Sequence, residues 1–522
     1  LAALADPIIW LTAGLYGLAL FNCVHILGDR QSPSASFAWI ILNLALPIIG
    51  VPAYVLLGKY RIRGYIKRRS IRNFEFSGYA RDLTQQWLMP SGEAYNVPTD
   101  IEPSFSIFRQ IFSKFGPIFE PHPGEVKLLV DGKATFEEIF RAIASAKRYI
   151  LVQYYILRSD RLGLELKRLL IAKAQAGLPV YLLYDDMGSF WLKQEYIKDL
   201  RRAGVRVEKF LPIRSLKRGF QINFRNHRKL VVVDGVCAFT GGLNIGEEYA
   251  ERRLIPRERK FSFWRDTHMR IVGPAVFQLE ELFLEDWHFA THETIDMNKI
   301  SPPPELLAQK VQADAGDKKS SEQPAGELTV KLNAATGQGT KAFVQIVPSQ
   351  PTDEQLIGIL LFMQIIQSAR KRLWIATPYF VPDTPLLREL ELAALRGVDI
   401  RLILPRKSDN QFVHWVTLSY AAPLQSIGVK VCLYEKGFMH QKVALVDDNM
   451  AVLGSTNFDN RALYLNFETT VLVHGKEFAA EVEKVLREDL LSCRYHQPAK
   501  NWTRRKLVKT RENVARLLSP LL

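Results

Sequence analysis

Apolar and polar positions along the chain fall into three regimes. Near the start, Pro7 to Leu27 and Phe37 to Leu57 carry no charge beyond what His25 can hold. Each runs about 21 residues, the length a helix needs to cross a bilayer. A short polar loop, GDRQSPSAS, joins them. The pair therefore predicts a transmembrane hairpin, since a cleaved leader would account for only one stretch. Pro47 and Pro52 are expected to kink the second limb, as membrane spans tolerate. Further on, Phe105, Phe108, Phe112, Phe115 and Phe119 recur at spacings of three and four, the stripe of a helix that either packs a core or lies on a membrane surface.

Beyond residue 125 the pattern is helical periodicity alternating with short apolar runs, and it occurs twice. FEEIFRAIASAKRYILVQYYI reads as helix, basic turn and buried strand, and QLIGILLFMQIIQSARKRLWIATPYFV repeats that order. AKAQAGLPVYLLYDD then parallels LAALRGVDIRLILPR, and RRAGVRVEKFLP parallels LQSIGVKVCLYEKG. Such alternation predicts two α/β units with largely buried mixed or parallel sheets. The expected divisions are a hairpin and basic segment at 1–72, a connecting segment at 73–124 and a first unit at 125–300. A polar, Pro/Gly-rich linker at 301–341 and a second unit at 342–522, ending in a basic amphipathic helix, complete them. That last helix reads equally as membrane-lying or core-packed.

The duplication extends to chemistry. NHRKLVVVDG places His227, Lys229 and Asp234 around a β-branched run that ends in an Asp-Gly hairpin signal. MHQKVALVDD repeats the spacing with His440, Lys442 and Asp447. The tails match too: Gly241, Gly242 and Asn244 against Gly454, Ser455 and Asn457. One copy would read as a basic strand end; two with matching tails do not arise by composition. Alternation along a strand puts each histidine and lysine on one face and each aspartate on the other, so the aspartates, though motif members carried with the catalytic set, read as turn residues.

Charge narrows the partners. A net charge of +15 fits an anionic partner, nucleic acid or acidic lipid, and the hairpin favours lipid. Directly after the hairpin, KYRIRGYIKRRSIR carries Lys59, Arg61, Arg63, Lys67, Arg68, Arg69 and Arg72 with no acid, which predicts that this end and the large remainder face the cytoplasm. Four scattered cysteines, without CxxC spacing, suit a reducing compartment. Protonated lysines are poor metal ligands and no HExxH occurs, so the pairs suit metal-free anion chemistry. One imidazole would attack phosphorus, the other protonate the leaving alcohol, and the lysines hold the non-bridging oxygens, giving a bell-shaped pH profile.

The paired motifs, GKYRIRG after the hairpin, FWRDTHMRIVGPAV, GGLNIGEEY, GSTNFDNR, LNFE and the closing RLLSPLL resemble the phospholipase D superfamily and, within it, the bacterial cardiolipin synthases, over nearly the whole chain. The resemblance implies two α/β/α domains forming one pseudo-twofold active site behind a multi-pass anchor in the bacterial inner membrane. It also implies phosphatidyl transfer between two phosphatidylglycerols through a phosphohistidine, with no nucleotide or metal. It assigns attack to His227, general acid/base work to His440, and phosphate contact to Asn244, Ser455 and Asn457. Glu468 in LNFE is expected to orient His440, and Asp266 in FWRDT to orient His227. Alternatives that share the motifs are a membrane-bound phospholipase D that uses water and, in another class, a nucleic-acid phosphodiesterase, which the hairpin and the lack of stacking aromatics argue against. Self-association is left open. The lengthened stretch 251–263 has no assigned role.

Overall fold

A computed structural model describes residues 7–28, 33–58, 102–212, 223–250, 263–295, 339–351, 356–497 and 502–517. The basic segment 59–72, most of the connecting segment, the stretch 251–262 and nearly all of the linker lie outside them.

Helix α1 (Pro7–Gly28) is long and apolar enough to cross a membrane. The expected second span is instead two helices, α2 (Pro33–Ala45) and α3 (Pro47–Leu57). The break falls at Leu46, whose backbone leaves the helical region (φ −136°, ψ 66°). Proline at the next position disfavours helical geometry there. The chain still hydrogen-bonds across the bend, from Leu46 N–H to the Leu42 carbonyl and from Gly50 N–H to that of Leu46. Ile26, Trp39 and Tyr54 pack together where the limbs meet. Within this apolar bundle Asn22 Nδ2 donates to Asn43 Oδ1 at 3.0 Å, and Asn43 Nδ2 to the Trp39 carbonyl at 2.9 Å.

The first unit's strands are β1 (His122–Val130), β2 (Ile150–Tyr154), β3 (Val180–Asp185), β4 (Arg206–Phe210), β5 (Leu230–Val233), β6 (Cys237–Gly241) and β7 (Thr267–Val272). The second unit's are β8 (Thr340–Ser349), β9 (Arg372–Ala376), β10 (Asp399–Pro405), β11 (Lys430–Tyr434), β12 (Val443–Val446), β13 (Met450–Gly454), β14 (Asn466–His474) and the edge strand β15 (Cys493–Tyr495). The spatial order is β1-β7-β6-β5-β2-β3-β4 in one unit and β8-β14-β13-β12-β9-β10-β11-β15 in the other. Antiparallel pairing of β1 with β8, Val126 opposite Thr340, fuses them into one mixed sheet with pseudo-twofold symmetry. The central pairing takes in the chain from His122 in one unit and from Thr340 in the other.

Local signals repeat with the fold. Asp160 and Asp383 cap equivalent helices, each accepting from the backbone N–H three residues on (3.1 and 3.0 Å). Helices cover both faces of the sheet. One apolar cluster joins the two units and takes in the helices Ala275–Thr291 and Lys476–Leu490, through Phe283, Trp287, Phe478 and Leu486. The phenylalanine stripe belongs to the core: Phe105, Phe108, Phe112 and Phe119 are buried, and Phe105 and Phe108 meet the ring of His474 at 5.5 and 5.8 Å. The C-terminal helix (Trp502–Leu517) also lies on protein, with Arg511 over Trp415 and Arg516 over Tyr420, each at 4.4 Å.

Candidate active site

The two histidine motifs converge at the pseudo-twofold axis. Each histidine sits just before its strand and is docked on the opposite unit by a two-residue parallel ladder. Arg225 and Asn226 pair with Asn466 and Phe467, and Phe438 and Met439 with Trp264 and Arg265. One rung further on, His227 N–H donates to the Phe467 carbonyl at 2.9 Å and His440 N–H to the Arg265 carbonyl at 2.8 Å.

That register decides which acid meets which histidine. Glu468 follows Phe467, and its carboxylate lies 2.9 Å from His227 Nδ1; Asp266 follows Arg265 and lies 2.6 Å from His440 Nδ1. The expected pairing is thus reversed. Glu468 serves His227 and Asp266 serves His440, because each ladder crosses between units while the motif order within a unit suggests a local partner. A carboxylate at Nδ1 favours the tautomer that carries its proton there and leaves Nε2 unprotonated.

The two carboxylates differ. Ser455 Oγ and Asn466 Nδ2 donate to Glu468 besides His227. Burial pushes Glu468 up, but His227, Lys229 and Ser455 outweigh burial and hold it below the usual glutamate range. Burial lifts Asp266 to about 6, opposed by Lys442 and the Thr267 N–H. Its place is tight: a Cβ on Gly242, the counterpart of Ser455, would come within 2.0 Å of Asp266 Oδ1. Burial pulls His227 down to about 4, with Glu468 opposing and Lys229 assisting, and burial with Lys442 and Lys229 holds His440 well below its ordinary value. Both shifts favour the neutral imidazole near neutral pH.

Lys229 Nζ donates to the His227 carbonyl at 2.6 Å, and Lys442 Nζ to that of His440 while lying 2.9 Å from its Nδ1 and 3.2 Å from its Nε2. Burial lowers both lysines, Lys442 to about 8. Tyr155 stands edge-on to His227 at 4.9 Å, and Trp264 and Tyr249 flank His440 at 4.8 and 5.7 Å.

Other expected residues have different duties. Asp234 and Asp447 sit beyond the far ends of β5 and β12, at positive φ, 58° and 49°. Asp234 accepts from the backbone N–H groups of Lys147, Arg148 and Tyr149, and Asp447 from those of Arg370, Lys371 and Arg372, at 2.7–3.0 Å. They clamp the turns leading into β2 and β9 and touch neither histidine, which removes them from the catalytic set. Asn244 is spent on the scaffold, accepting from Ile156 N–H at 3.1 Å and donating to Tyr249 Oη at 2.8 Å. Ser455 holds Glu468 and accepts from Thr469 N–H at 2.9 Å. Of the three expected phosphate contacts, Asn457 alone keeps a buried side-chain atom, Oδ1, without a protein partner.

A supporting layer escaped the sequence reading. Fully buried Arg228 meets Asp286 at 2.6 Å, and Asp286 also accepts from Asn226 and Gln153. Opposite, Asp489 accepts from Gln441 at 3.0 Å and from Arg265 at 2.7 Å. The signal was present: LEDW and REDL carry these aspartates at equivalent places in the two repeats.

The family model for "Cardiolipin synthase, PLD-like domain" matches residues 139–254 and 362–490, and the phospholipase D-nuclease N-terminal model matches 16–59. The chain is 36% identical over 514 residues to cardiolipin synthase A of Pseudomonas aeruginosa, covering 98% of this chain and 96% of that one. It is 34% identical over 506 residues to the Pseudomonas putida protein of that name, covering 97% and 96%. The crystal structure of phosphatidylserine synthase from Haemophilus influenzae superimposes with a TM-score of 0.55 at 16% identity, over 81% of this chain and all of that one, a likeness of fold.

Proposed function

Because this chain belongs to the cardiolipin synthase family, with its phospholipase D-like domains, we propose that it joins two phosphatidylglycerols into cardiolipin and glycerol through a phosphohistidine on His227. Nε2 of His227 attacks phosphorus, and the P–O bond to glycerol breaks as His440 Nε2 gives that oxygen its proton. A second phosphatidylglycerol then offers its glycerol hydroxyl. His440 removes that proton, the new P–O bond forms, and the P–N bond breaks to free His227. Lys229 and Lys442 face the non-bridging oxygens.

The observation that carries this reading is the crossed pairing, which fixes both Nδ1 atoms on carboxylates and leaves two Nε2 atoms for one phosphate. The inequality of the carboxylates supports His227 as nucleophile. A phosphorylated imidazole is cationic, and Glu468, held anionic by two further donors, is the better counter-ion. His440 must be protonated to act as an acid. Burial depresses it first and Lys442 and Lys229 second, and an anionic phosphodiester between the lysines opposes that depression. The anchor is read as α1 crossing the membrane and α2–α3 returning as a bent limb, with the basic sequence 59–72 and the catalytic units on the cytoplasmic side.

The test is purified protein with phosphatidylglycerol and chelator. Cardiolipin should form with the wild type and be abolished in His227→Ala and His440→Ala. Phosphatidic acid as the sole product would replace the acceptor lipid by water, and no lipid turnover would refute the assignment.

A further inference from the structure

The loop that follows β3, DMGSFWLK, is fixed at its base and apolar at its tip. Asp185 Oδ1 accepts from the N–H groups of Met187 and Gly188 at 3.0 and 2.8 Å, and its Oδ2 from Asn226 N–H, next to His227, at 2.9 Å. Ser189 Oγ donates to the Tyr155 carbonyl and accepts from Leu157 N–H, both at 3.0 Å. Gly188 lies so close to Tyr155 that a Cβ would come within 2.3 Å of its carbonyl oxygen. Tyr155 is the ring edge-on to His227. From this rigid base project Phe190 and Trp191, 63% and 78% exposed, their rings edge-to-face at 5.3 Å. Lys193, exposed and without an acidic partner among the described residues, stands beside them.

The internal repeat supplies a control. The segment after the equivalent strand β10 is Arg406–Asn410, RKSDN, without an apolar side chain. The fold therefore does not require an aromatic tip at this position. Two adjacent solvent-exposed aromatics flanked by lysine are the composition of an interfacial anchor, with rings at headgroup depth and the ammonium at the phosphates.

From this placement we infer that Phe190 and Trp191 insert into the lipid bilayer and hold the first unit's side of the catalytic cleft against it. The occupant is a bilayer because the same chain carries a membrane-length helix and the candidate site sits directly behind the tip. Its purpose rests on the phosphatidyl-transfer reading: a two-chain lipid must bring its phosphate to His227 without leaving the membrane entirely, and a docked rim shortens that path. Anchoring by α1 keeps the protein near the surface; the tip sets which way the cleft faces.

The test uses the full chain in vesicles of phosphatidylcholine and phosphatidylglycerol, with part of the phosphatidylcholine brominated in its acyl chains. Trp191 is one of nine tryptophans, so Trp191→Phe should remove one tryptophan's share of the quenched emission. Unchanged quenched emission would overturn the inference. In the same vesicles, Phe190→Ser with Trp191→Ser should lower phosphatidylglycerol turnover about tenfold, while turnover of dihexanoyl phosphatidylglycerol dissolved as monomers stays at the wild-type rate. Equal losses on both substrates, or no loss in vesicles, would refute it. If the wild type turns over neither lipid, the phosphatidyl-transfer reading fails, and the quenching result still decides docking.

Discussion

The crossed pairing makes a prediction that separates the two carboxylates by leaving group. Glu468→Gln removes the anion from His227 Nδ1 and leaves a neutral amide among the donors Ser455 and Asn466. A hydrogen bond between charged groups contributes about 1.5–3 kcal/mol, which at 1.36 kcal/mol per decade corresponds to a rate loss of about 10- to 150-fold. Asp266→Asn takes the same quantity from His440. On phosphatidylglycerol both variants should lose rate within that range. A phosphatidyl ester of p-nitrophenol loses its leaving group as nitrophenolate, an anion that needs no proton from His440. On that substrate the Asp266 variant should form its phosphoenzyme within about threefold of the wild-type rate, while the Glu468 variant keeps its full loss. Rapid mixing that follows nitrophenolate release in the first turnover measures this directly. Rescue of the Glu468 variant with failure of the Asp266 variant would exchange the roles of the histidines, and equal losses on both substrates would refute the division of labour.

Three further outcomes are expected. With the nitrophenyl ester, kcat/KM should rise through about pH 4 as His227, pulled down mainly by burial, loses its proton and can attack. It should fall through about pH 8 as Lys442, lowered by burial, loses the charge that faces the phosphate, and Lys442→Arg should carry that limb above about pH 9; an unmoved limb would clear the lysine. Asp234→Asn and Asp447→Asn should each cost about 1–3 kcal/mol in denaturant unfolding while kcat per folded molecule stays within about twofold, whereas a hundredfold loss in kcat without unfolding would return the aspartates to the chemistry. In the membrane bundle, Asn43→Leu should weaken helix pairing by about 0.6–2 kcal/mol, read as faster proteolysis of the reconstituted chain; unchanged resistance would show the amide pair to be idle.

Much of this was legible in the sequence because duplication doubles every signal. The repeated helix–strand order and the two His/Lys pairs stand at matching places. Long-range register was not legible. Nothing near His227 in the chain announces that Arg225 and Asn226 pair with Asn466 and Phe467, so motif order alone points to an acid in the same unit. The bend at Leu46 was written in Pro47, but its extent depended on how far the backbone could stay hydrogen-bonded around the missing donor. Asn244 and Ser455 looked like ligand contacts because an amide and a hydroxyl near a phosphate site suit both roles; only the positions of Tyr249 and Glu468 decide between ligand and scaffold.

The parallel ladders also bear on how such a molecule came to be. Two identical copies related by a twofold axis would make this contact automatically, since a residue that reaches across one way is matched by its twin reaching back. One gene encoding half the site would then yield the whole as a homodimer. Once the copies share one chain, each can change alone: glutamate beside one histidine and aspartate beside the other, Ser455 facing Gly242, an aromatic tip on one unit and RKSDN on the other. Fusion converts a symmetric pair into a directional one, in which attack and proton transfer are assigned to fixed sides, yet neither half can leave the partnership, because each keeps the acid that its neighbour's histidine needs.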